Sequence, residues 1–373
     1  MGNDMKKICF LLSGFQGNGG IGRVTSILAN QLSDKEDLEV HTISYYQNEE
    51  PLLYGISDRV HSHVLFTQLF SMTHAIVRKN VVVRIRQILR REKIDVLIAC
   101  GALYYPISIL ACAGIRTKCV CWEHTNPATT DDYRFQKLCR DIAAKLSWKI
   151  VVLTKSAQQY YLEHYPGCKK KLCQIYNPID AQAARSDGYD PASKKIISVG
   201  RLSYQKNFER LIQLASEVLP RYPDWSWDIY GDGELKDKLL EMIHQNGLEK
   251  QVHLMGQVDN LYSVYKQYAF MVMTSRYEGF PMSLIEGAAN QLPLVSFDIP
   301  TGPNEIIVDG VNGFLVDHNS DRMMIDGIEQ LINQAECRVE MSRNVMQLVD
   351  VFSMERILAQ WMNLFKEANE TVS

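Results

Sequence analysis

The sequence predicts an α/β fold of two doubly wound domains that face each other across a cleft. Short apolar runs, typical of buried parallel strands, alternate with segments of helical periodicity. The alternation occurs as two series, and a polar stretch of the chain separates them. The length of 373 residues also exceeds that of one ordinary domain.

The first series occupies the N-terminal half of the chain. Its predicted strands are short and apolar, and they comprise residues 7–12, 39–43, 94–100, 118–122 and 149–153. After the first strand, apolar residues recur at helical spacing, as Val24, Ile27, Leu28 and Leu32. Residues 82–93 have the pattern of a basic helix. Strands that alternate with helices in this way predict a parallel sheet.

The second series follows a polar stretch at residues 181–195, which contains Gly188 and Pro191 and predicts a linker. Its predicted strands comprise residues 195–200, 225–230, 251–255, 269–273 and 293–297. The predicted Rossmann-like domains are therefore residues 1–185 and 186–352. Residues 353–373 are expected to form a helix that packs back on the N-terminal domain.

Composition narrows the classes of function. The formal net charge of −3 argues against a protein that binds nucleic acid through its overall charge. The nine cysteines are odd in number and include no C-x-x-C pair, which favours buried free thiols in a reducing compartment. No apolar stretch reaches about 18 residues, so we expect a cytoplasmic protein, or one attached peripherally to the inner face of the plasma membrane.

The residues that follow each predicted strand are the first candidates for a site, because ligands of doubly wound domains bind beyond the carboxyl ends of strands. The first strand leads into Gly17-Asn-Gly-Gly-Ile-Gly-Arg23. Glycines allow positive φ and bring backbone N–H groups close to an anion, and a helix start adds partial positive charge. A tight strand-to-helix turn without a ligand is the alternative.

The strand at residues 195–200 leads into a turn that carries two cations, Arg201 and Lys206. A fork-shaped and a point-like cation can converge on one diphosphate. The spacing is not that of a Walker motif, which disfavours a P-loop kinase or ATPase. A solvated surface pair is the alternative.

The segment Ser275–Glu286 contains the strongest pattern. Glu278 and Gly279 are predicted to form a loop, with Glu278 free to meet sugar hydroxyls, and Pro281 or Met282 begins a helix. The amides at the helix start, those of Met282, Ser283 and Leu284, would face a phosphate. Glu286 lies one turn into the helix, where it can accept hydrogen bonds from ribose hydroxyls.

Two alternatives apply to this segment. One is a helix-capping carboxylate beside a solvated one. The other is the acid and base of a glycosidase, but eight helical residues span about 12 Å. That separation exceeds the roughly 5 to 9.5 Å that glycosidase carboxylates need.

His124 directly follows the predicted strand at residues 118–122 and would point into the cleft, although a lone histidine is often structural. Basic residues crowd two further segments of the same half. They are Arg78, Lys79, Arg84, Arg86, Arg90, Arg91 and Lys93 in one, and Arg134, Lys137, Arg140, Lys145 and Lys149 in the other. Such clusters predict contact with an anionic membrane surface, with an ordinary solvated helix face as the alternative.

With these residues in place, the sequence resembles the glycosyltransferases of family 4, which share the two-domain GT-B fold. The most specific mark is the E-x7-E pattern of Glu278 and Glu286. Further matching segments are Gly19–Gly22, Trp122–His124, Val199–Leu202 with Lys206, Tyr230–Gly233, Gly256 and Asp309–Val316.

The resemblance implies a role for each site residue. Arg201 and Lys206 hold the donor diphosphate, Glu286 binds the ribose, and Val258 meets the base. Glu278, Gly279 and Phe280 approach the transferred sugar, and His124 contacts it from the opposite domain. The remaining donor-site residues are Gly20, Gly22, Gly231, Pro281, Met282, Ser283 and Leu284. The N-terminal domain binds the acceptor and the C-terminal domain binds the donor, with neither a metal nor a cofactor.

The resemblance also implies a reaction. It is retaining transfer of a hexose or N-acetylhexosamine from UDP-GalNAc, UDP-GlcNAc, UDP-Gal or UDP-Glc. Residues 300–307 resemble a segment of bacterial enzymes that build lipid-linked oligosaccharides, which suggests a polyprenyl-diphosphate-linked saccharide as acceptor in surface polysaccharide or glycan synthesis. The alternatives are a nucleotide-binding scaffold without catalysis, or another GT-B enzyme such as a UDP-sugar epimerase.

Overall fold

A computed structural model describes residues 5–16, 19–50, 52, 54–68, 75–130, 133–180, 183, 188–258 and 260–370. The chain divides into two compact units. The N-terminal unit comprises Met1–Pro178 with Ile357–Ser373, and the C-terminal unit comprises Ile179–Arg356. The sequence predicted these boundaries at residues 185 and 352. Residues 181, 182 and 184–187 of the predicted linker lie outside the described residues.

The described part of the N-terminal unit contains one parallel sheet, with the strand order β3-β2-β1-β4-β5-β6-β7. Its strands are β1 (Lys6–Leu12), β2 (Leu38–Tyr46), β3 (His61–Phe66), β4 (Val96–Cys100), β5 (Lys118–Glu123), β6 (Lys149–Val152) and β7 (Leu172–Gln174). Its helices are α1 (Gly20–Ser33), α2 (Ala75–Arg91), α3 (Tyr105–Cys112), α4 (Pro127–Thr130), α5 (Arg134–Leu146) and α6 (Lys155–His164). Single 3-10 turns cover Ala102–Tyr104 and Pro166–Lys171.

The described part of the C-terminal unit contains a second parallel sheet, with the order β10-β9-β8-β11-β12-β13. Its strands are β8 (Lys195–Val199), β9 (Ser226–Tyr230), β10 (Val252–Gly256), β11 (Phe270–Met273), β12 (Leu294–Asp298) and β13 (Gly313–Asp317). Its helices are α7 (Phe208–Val218), α8 (Lys236–Gln245), α9 (Tyr262–Tyr265), α10 (Met282–Ala289), α11 (Asp321–Asn333) and α12 (Ala335–Val349), with 3-10 turns at Leu219–Arg221 and Pro303–Glu305.

Central strands of both sheets are buried on both faces, which is typical of parallel sheets. Every residue of β4 and of β11 is buried, as expected for strands covered by helices on each side. Each sheet reverses its direction of winding beside its first strand, β1 or β8. Ligands bind at such switch points, so the turns after β8 and β11 are the positions to examine in the C-terminal unit.

The last helix, α13 (Met354–Glu370), crosses the boundary between the units, and its residues from Ile357 onward belong to the N-terminal unit. The Trp361 ring packs edge-on against Trp122 of β5, with ring centroids 5.0 Å apart. Lys149 of β6 forms an ion pair with Glu367 of the same helix. These contacts join the end of the chain to the first sheet.

The prediction of two α/β domains with parallel sheets is confirmed. Strands β3, β7 and β13 were not predicted, and three of the six residues of β3 are exposed at the sheet edge. Strand β7 has only three residues. All nine cysteines lie in described segments and are free thiols, seven of them buried. Within the described residues, no helix has the length and apolar character needed to cross a membrane.

Candidate functional site

The turns after β8 and β11 meet at an ion pair. The Nζ atom of Lys206 lies 2.6 Å from Oε1 of Glu278, and both side chains are largely buried. Lys206 ends the turn between β8 and α7, and Glu278 lies between β11 and α10. Because the two strands are neighbours in the sheet, their carboxyl ends bring the lysine and the glutamate together. The proximity of these segments is therefore a consequence of strand order.

Lys206 reaches this position by crossing a glycine. A Cβ atom on Gly200 would lie 2.9 Å from Cδ and Cε of Lys206, so the side chain of Lys206 runs directly over the Gly200 backbone. Asn207 follows with φ of 57°, a left-handed conformation that an asparagine tolerates, and it precedes the first turn of α7. The carbonyls of Lys206 and Asn207 accept hydrogen bonds from the Thr274 hydroxyl at 3.1 and 3.2 Å.

Glu278 is not free in its loop, which corrects the sequence prediction. It is only 6% exposed, and besides Lys206 it accepts a hydrogen bond from the Ser275 hydroxyl at 2.7 Å. The Gln205 amide lies 3.4 Å from its second oxygen, Oε2, and also donates to the Tyr277 carbonyl at 3.0 Å. The carboxylate is therefore held in one orientation by its neighbours before any ligand arrives.

Glu286 lies on α10, where it is 1% exposed. The Tyr265 hydroxyl of α9 donates to its Oε2 atom at 3.0 Å. Gly287 allows this close packing, since a Cβ atom there would lie 2.9 Å from the sulfur of Met271 in β11. Phe280, just before α10, is buried and packs against Phe352 with ring centroids 5.4 Å apart.

The start of α10 has the predicted character in part. The helix begins at Met282 after Pro281, and no side chain caps it. The Leu284 amide, however, already donates to the Pro281 carbonyl at 3.0 Å and the residue is fully buried, and its contact with phosphate stays a prediction. Ser283 and Lys206 both border one small internal space of the C-terminal unit.

The other predicted donor-site residues of the C-terminal unit lie in the turns after β8, β9, β10 and β11. Arg201 is exposed at the beginning of the Lys206 turn. Gly231 follows β9 with φ of 137°, and a Cβ atom there would lie 2.0 Å from the Gly200 carbonyl oxygen, so only glycine fits. Gly279 and Val258 are partly exposed, Val258 just after β10. Their roles toward a ligand stay predictions.

In the N-terminal unit, the glycine-rich segment leads into α1, whose N-cap is Gly19. Gly17 and Asn18 lie outside the described residues. Gly20 opens the helix, and a Cβ atom there would meet nothing within 4 Å. At Gly22 a Cβ atom would lie 3.2 Å from the Gly14 carbonyl oxygen, so tight packing alone accounts for this glycine.

His124 follows β5 and stacks at an angle on Trp122, with ring centroids 4.1 Å apart. Burial lowers the pKa of His124 to about 3, so its ring is neutral near pH 7. Its Nε2 atom is buried and has no hydrogen-bond partner among the described residues. A neutral ring with an unused nitrogen is suited to one hydrogen bond with a ligand.

The residue before His124 anchors a buried charge network that the sequence did not predict. Glu123 and Arg140 of α5 form an ion pair at 2.8 Å with both side chains completely buried. The Glu123 carboxylate also accepts from the hydroxyls of Thr125 at 2.6 Å and Tyr161 at 3.1 Å. Burial opposes the charge of Arg140, but the attraction of Glu123 outweighs it and raises the arginine pKa. Arg140 therefore does not belong to a basic surface, which corrects that part of the prediction.

The first basic segment forms α2, and it buries its own apolar side, including Val81, Ile85 and Leu89. Arg86 donates to the Ala113 carbonyl at 2.6 Å, and Arg84 lies over the Phe66 ring at 4.8 Å. The alternative of an ordinary solvated helix therefore describes α2 better. The side chain of Arg78 lies outside the described residues.

Sequence reasoning missed the residues that hold the two glutamates in place. Gln205 precedes Lys206, and Ser275 opens the segment of Glu278, but the sequence gives no sign that both side chains converge on Glu278. Tyr265 lies in a four-residue helix without any motif. Among the described residues, no group of three or more His, Cys, Asp or Glu side chains is arranged to hold a metal ion, and Asp131 and Asp132 lie outside them.

Comparison with known proteins adds two family matches and several relatives. Residues 18–183 match the family described as Glycosyltransferase Family 4, and residues 182–347 match Glycosyl transferases group 1. The amylovoran biosynthesis glycosyltransferase AmsD of Erwinia amylovora is 27% identical over 368 residues, covering 96% of this chain and 99% of AmsD. An uncharacterized glycosyltransferase of Haemophilus influenzae is 25% identical over 360 residues, covering 96% of this chain and all of the relative.

Solved structures agree in fold. A structure of S. aureus TarM in complex with UDP superposes with a TM-score of 0.80 at 18% identity, covering 97% of this chain and 100% of TarM. HepE of Anabaena in complex with UDP superposes with a TM-score of 0.78 at 16% identity, covering 97% and 100%. The two family matches adjoin and together span most of the chain. The chain therefore belongs to the glycosyltransferases of family 4 and has their GT-B fold.

Proposed function

We propose that this protein transfers a hexose or N-acetylhexosamine from a UDP-sugar, with retention of configuration, to a lipid-linked saccharide in bacterial surface polysaccharide or glycan synthesis. The observation that carries the proposal is the ion pair of Lys206 and Glu278 beside the start of α10. The pair is one cation and one oriented carboxylate at the switch point of the C-terminal unit, and α10 begins a few residues after the carboxylate.

Lys206 is suited to stabilise the departing UDP. An ammonium group has three donors, and Glu278 uses one of them, so two can turn to phosphate oxygens. The uncapped first amides of α10 and the exposed Arg201 add positive potential at the same end of the sheet. Negative charge grows on the diphosphate as the glycosidic bond breaks, so these fixed groups stabilise the transition state more than the ground state.

Glu278 is suited to orient the sugar. Its Oε1 atom accepts from Lys206 and Ser275, whereas Oε2 receives the Gln205 amide at the longer distance of 3.4 Å. The second oxygen therefore has the larger capacity to accept from a sugar hydroxyl. A carboxylate fixed by several hydrogen bonds loses little freedom when the sugar binds, which favours positional selectivity among hydroxyls.

Glu286 is suited to the ribose of the donor. It is buried on α10, and Tyr265 fixes its Oε2 atom. In this proposal His124 is the contribution of the N-terminal unit to sugar binding, as a neutral donor or acceptor. Its lowered pKa argues against proton donation by an imidazolium near pH 7.

The relatives support the choice of substrates. One relative is a poly(ribitol-phosphate) α-N-acetylglucosaminyltransferase of S. aureus, 33% identical over 175 residues, which are 46% of this chain and 36% of that protein. AmsD serves amylovoran biosynthesis by its name, and the TarM and HepE structures contain UDP. A lipid-linked acceptor would be presented to this enzyme at the inner face of a membrane, and the transfer needs no cofactor.

The test is a donor panel with a polyprenyl-diphosphate-linked saccharide as acceptor. UDP-GalNAc, UDP-GlcNAc, UDP-Gal and UDP-Glc are each incubated with the protein, and UDP release and the lipid product are measured together. We expect acceptor-dependent UDP release with one donor, and a product whose anomeric configuration by NMR matches that of the donor. An inverted product would refute the retaining mechanism.

A matched variant connects the reaction to the site. Glu278→Gln keeps the shape of the side chain but removes its charge, and we expect it to lower kcat by about a hundredfold or more. Glu241→Gln, an exposed glutamate of α8, serves as control and is expected to leave kcat unchanged. UDP binding without turnover of any donor would instead support a nucleotide-binding scaffold, and acceptor-independent conversion of the donor sugar would support an epimerase.

A further inference from the structure

Helix α5 leaves an apolar stripe on the surface of the N-terminal unit. Phe135, Leu138, Ile142 and Leu146 recur at spacings that place them on one side of the helix. Phe135 is 52% exposed, Leu138 51% and Leu146 67%, whereas Ile142 is partly buried against the core. The adjacent side, which carries Cys139, Arg140 and Ala143, is the one that packs into the core. An amphipathic helix ordinarily buries its apolar side, so this exposed stripe calls for a partner.

Cations border the stripe on the same helix. Arg134, Lys137 and Lys145 are exposed and alternate with the apolar side chains. Lys137 lies 5.5 Å from the centre of the Tyr165 ring and 3.3 Å from Asp141, so one acidic residue of α5 is already paired. The helix therefore presents positive charge along one edge of its apolar stripe.

The neighbouring 3-10 turn Pro166–Lys171 extends this positive edge. It ends in Lys169, Lys170 and Lys171, and it packs against α5. The Lys171 ammonium donates to the carbonyl of Lys145 at 3.0 Å, which ties the lysine run to the end of α5. We call these six cations and the four apolar residues of the stripe the α5 surface.

Two exposed leucines lie in elements that contact α5. Leu103 is 44% exposed in the 3-10 turn Ala102–Tyr104, and Leu110 is 58% exposed in α3. Large exposed apolar side chains of this unit are thus concentrated in and beside α5. Apolar surface of this extent, bordered by polar groups, is typical of a surface that binds a partner or a membrane.

The formal charge of the chain is distributed unevenly between the two units, and the unit that contains α5 is the positive one. The N-terminal unit has 24 lysines and arginines against 17 aspartates and glutamates, a formal charge of +7. The C-terminal unit has 16 against 26, a formal charge of −10. The net charge of −3 hides this asymmetry, and an anionic surface would attract the N-terminal unit selectively.

We propose that the α5 surface docks on a bilayer that contains anionic lipids, with its apolar stripe in the headgroup region and its cations at lipid phosphates. A second copy of the chain fits the surface less well, because a symmetric contact would oppose one set of cations to the other. An anionic bilayer satisfies both the apolar stripe and the cations. The docking deepens the proposed function, since it would bring the enzyme to a lipid-linked acceptor.

The test measures partition of the whole protein into vesicles, not transfer. Vesicles of phosphatidylcholine alone are compared with vesicles that also contain phosphatidylglycerol, by co-sedimentation. We expect binding to the anionic vesicles that weakens severalfold when the salt concentration rises from about 0.1 M to about 0.5 M. Absence of binding to anionic vesicles at the lower salt concentration would overturn the proposal.

Matched variants locate the binding on α5. Phe135→Ser with Leu138→Ser is expected to lower partition by about tenfold or more. The control, Leu240→Ser with Met323→Ser, changes two apolar residues of the C-terminal unit that are 47% and 52% exposed, and should leave partition unchanged. Lys169→Gln with Lys170→Gln should weaken partition severalfold, against Lys236→Gln with Lys250→Gln as the charge control.

Two results would contradict the docking surface. The first is equal vesicle binding by the wild type and by the Phe135/Leu138 variant. The second is a dimer in sedimentation velocity that this variant dissociates, without vesicle binding by the wild type. UDP binding by the same preparations is measured in parallel, so that failure of the docking surface and failure of the donor site are separate results.

Discussion

Replacement of Arg140 by methionine tests how the N-terminal unit holds the turn after β5. The guanidinium pairs with Glu123 at 2.8 Å, both side chains are fully buried, and it also donates to the hydroxyls of Thr125 and Thr130 at 3.0 and 2.6 Å. Methionine keeps most of the volume but leaves the Glu123 carboxylate buried without its cation. Breaking a buried pair in this way costs about 3–5 kcal/mol.

The expected change in melting temperature follows from this free-energy cost and the size of the unit. For a unit of this size, each kcal/mol lowers Tm by about 2–4 °C, so we expect Arg140→Met to lower the Tm of the N-terminal unit by about 6–20 °C. Differential scanning calorimetry and urea unfolding measure the change. The double variant Glu123→Gln/Arg140→Met should regain most of the loss, because it leaves no buried charge.

The control is Arg59→Met, which breaks an ion pair with Asp34 whose side chains are 68% and 55% exposed. Exposed pairs contribute about 0–1 kcal/mol, so this variant should melt close to the wild type. A melting temperature of Arg140→Met as high as that of Arg59→Met would contradict the contribution of the buried ion pair. A double variant as unstable as the two single losses added together would contradict it as well.

Three further predictions follow from single contacts. Gly200→Ala places a Cβ atom 2.9 Å from the Lys206 side chain, which must then move. We therefore expect the affinity for UDP, measured by calorimetry, to fall about tenfold with little change in Tm. Unchanged affinity would contradict the role of Lys206. Tyr265→Phe removes the 3.0 Å hydrogen bond to Glu286 and should cost about 1.5–3 kcal/mol in urea unfolding, whereas a neutral effect would mean that the hydroxyl is replaceable. Burial lowers the pKa of His41 and of His63, whose ring nitrogens lie 3.2 Å apart, so the unfolded state binds more protons than the folded state. The free energy of unfolding should therefore be highest above about pH 6.5 and fall below it. A flat Tm between about pH 8 and about pH 5 would refute this prediction.

Much of the fold follows from local pattern. Apolar runs such as Val96–Cys100 are buried on both faces, and their alternation with helices leaves few arrangements other than parallel sheets. The edge strand β3 escaped prediction because its histidines and serine are not the residues of a buried run. Local pattern therefore predicts the central strands of both described sheets but, of the edge strands β3, β7, β10 and β13, only β10.

The site was predictable in outline but not in its contacts. Strand order brings the turns of Lys206 and Glu278 together, and the sequence motifs indicate both residues. That Glu278 is held by Ser275 and Gln205 depends on loop conformation, which no periodicity encodes. A loop carboxylate therefore looked free in the sequence and is fixed in the structure.

Helix α5 shows a second limit. Its basic residues look alike in the sequence, yet Arg140 is fully buried and paired with Glu123 of β5, whereas Lys137 and Lys145 are exposed. The apolar residues of α5 also differ in burial, since Cys139 packs into the core and Leu138 is exposed. Helical periodicity alone does not tell which of two apolar sides faces the sheet.

Calorimetric titration of UDP into the wild type, Lys206→Ala, Glu286→Ala and the control Lys236→Ala tests whether Lys206 and Glu286 bind the nucleotide. Lys236 is an exposed lysine of α8 and has no part in the proposed donor site. Loss of a charge-assisted hydrogen bond costs about 1.5–3 kcal/mol, so we predict that each of the first two variants binds UDP about 10 to 150 times more weakly while the control binds like the wild type. Wild-type affinity in both Lys206→Ala and Glu286→Ala would contradict the account.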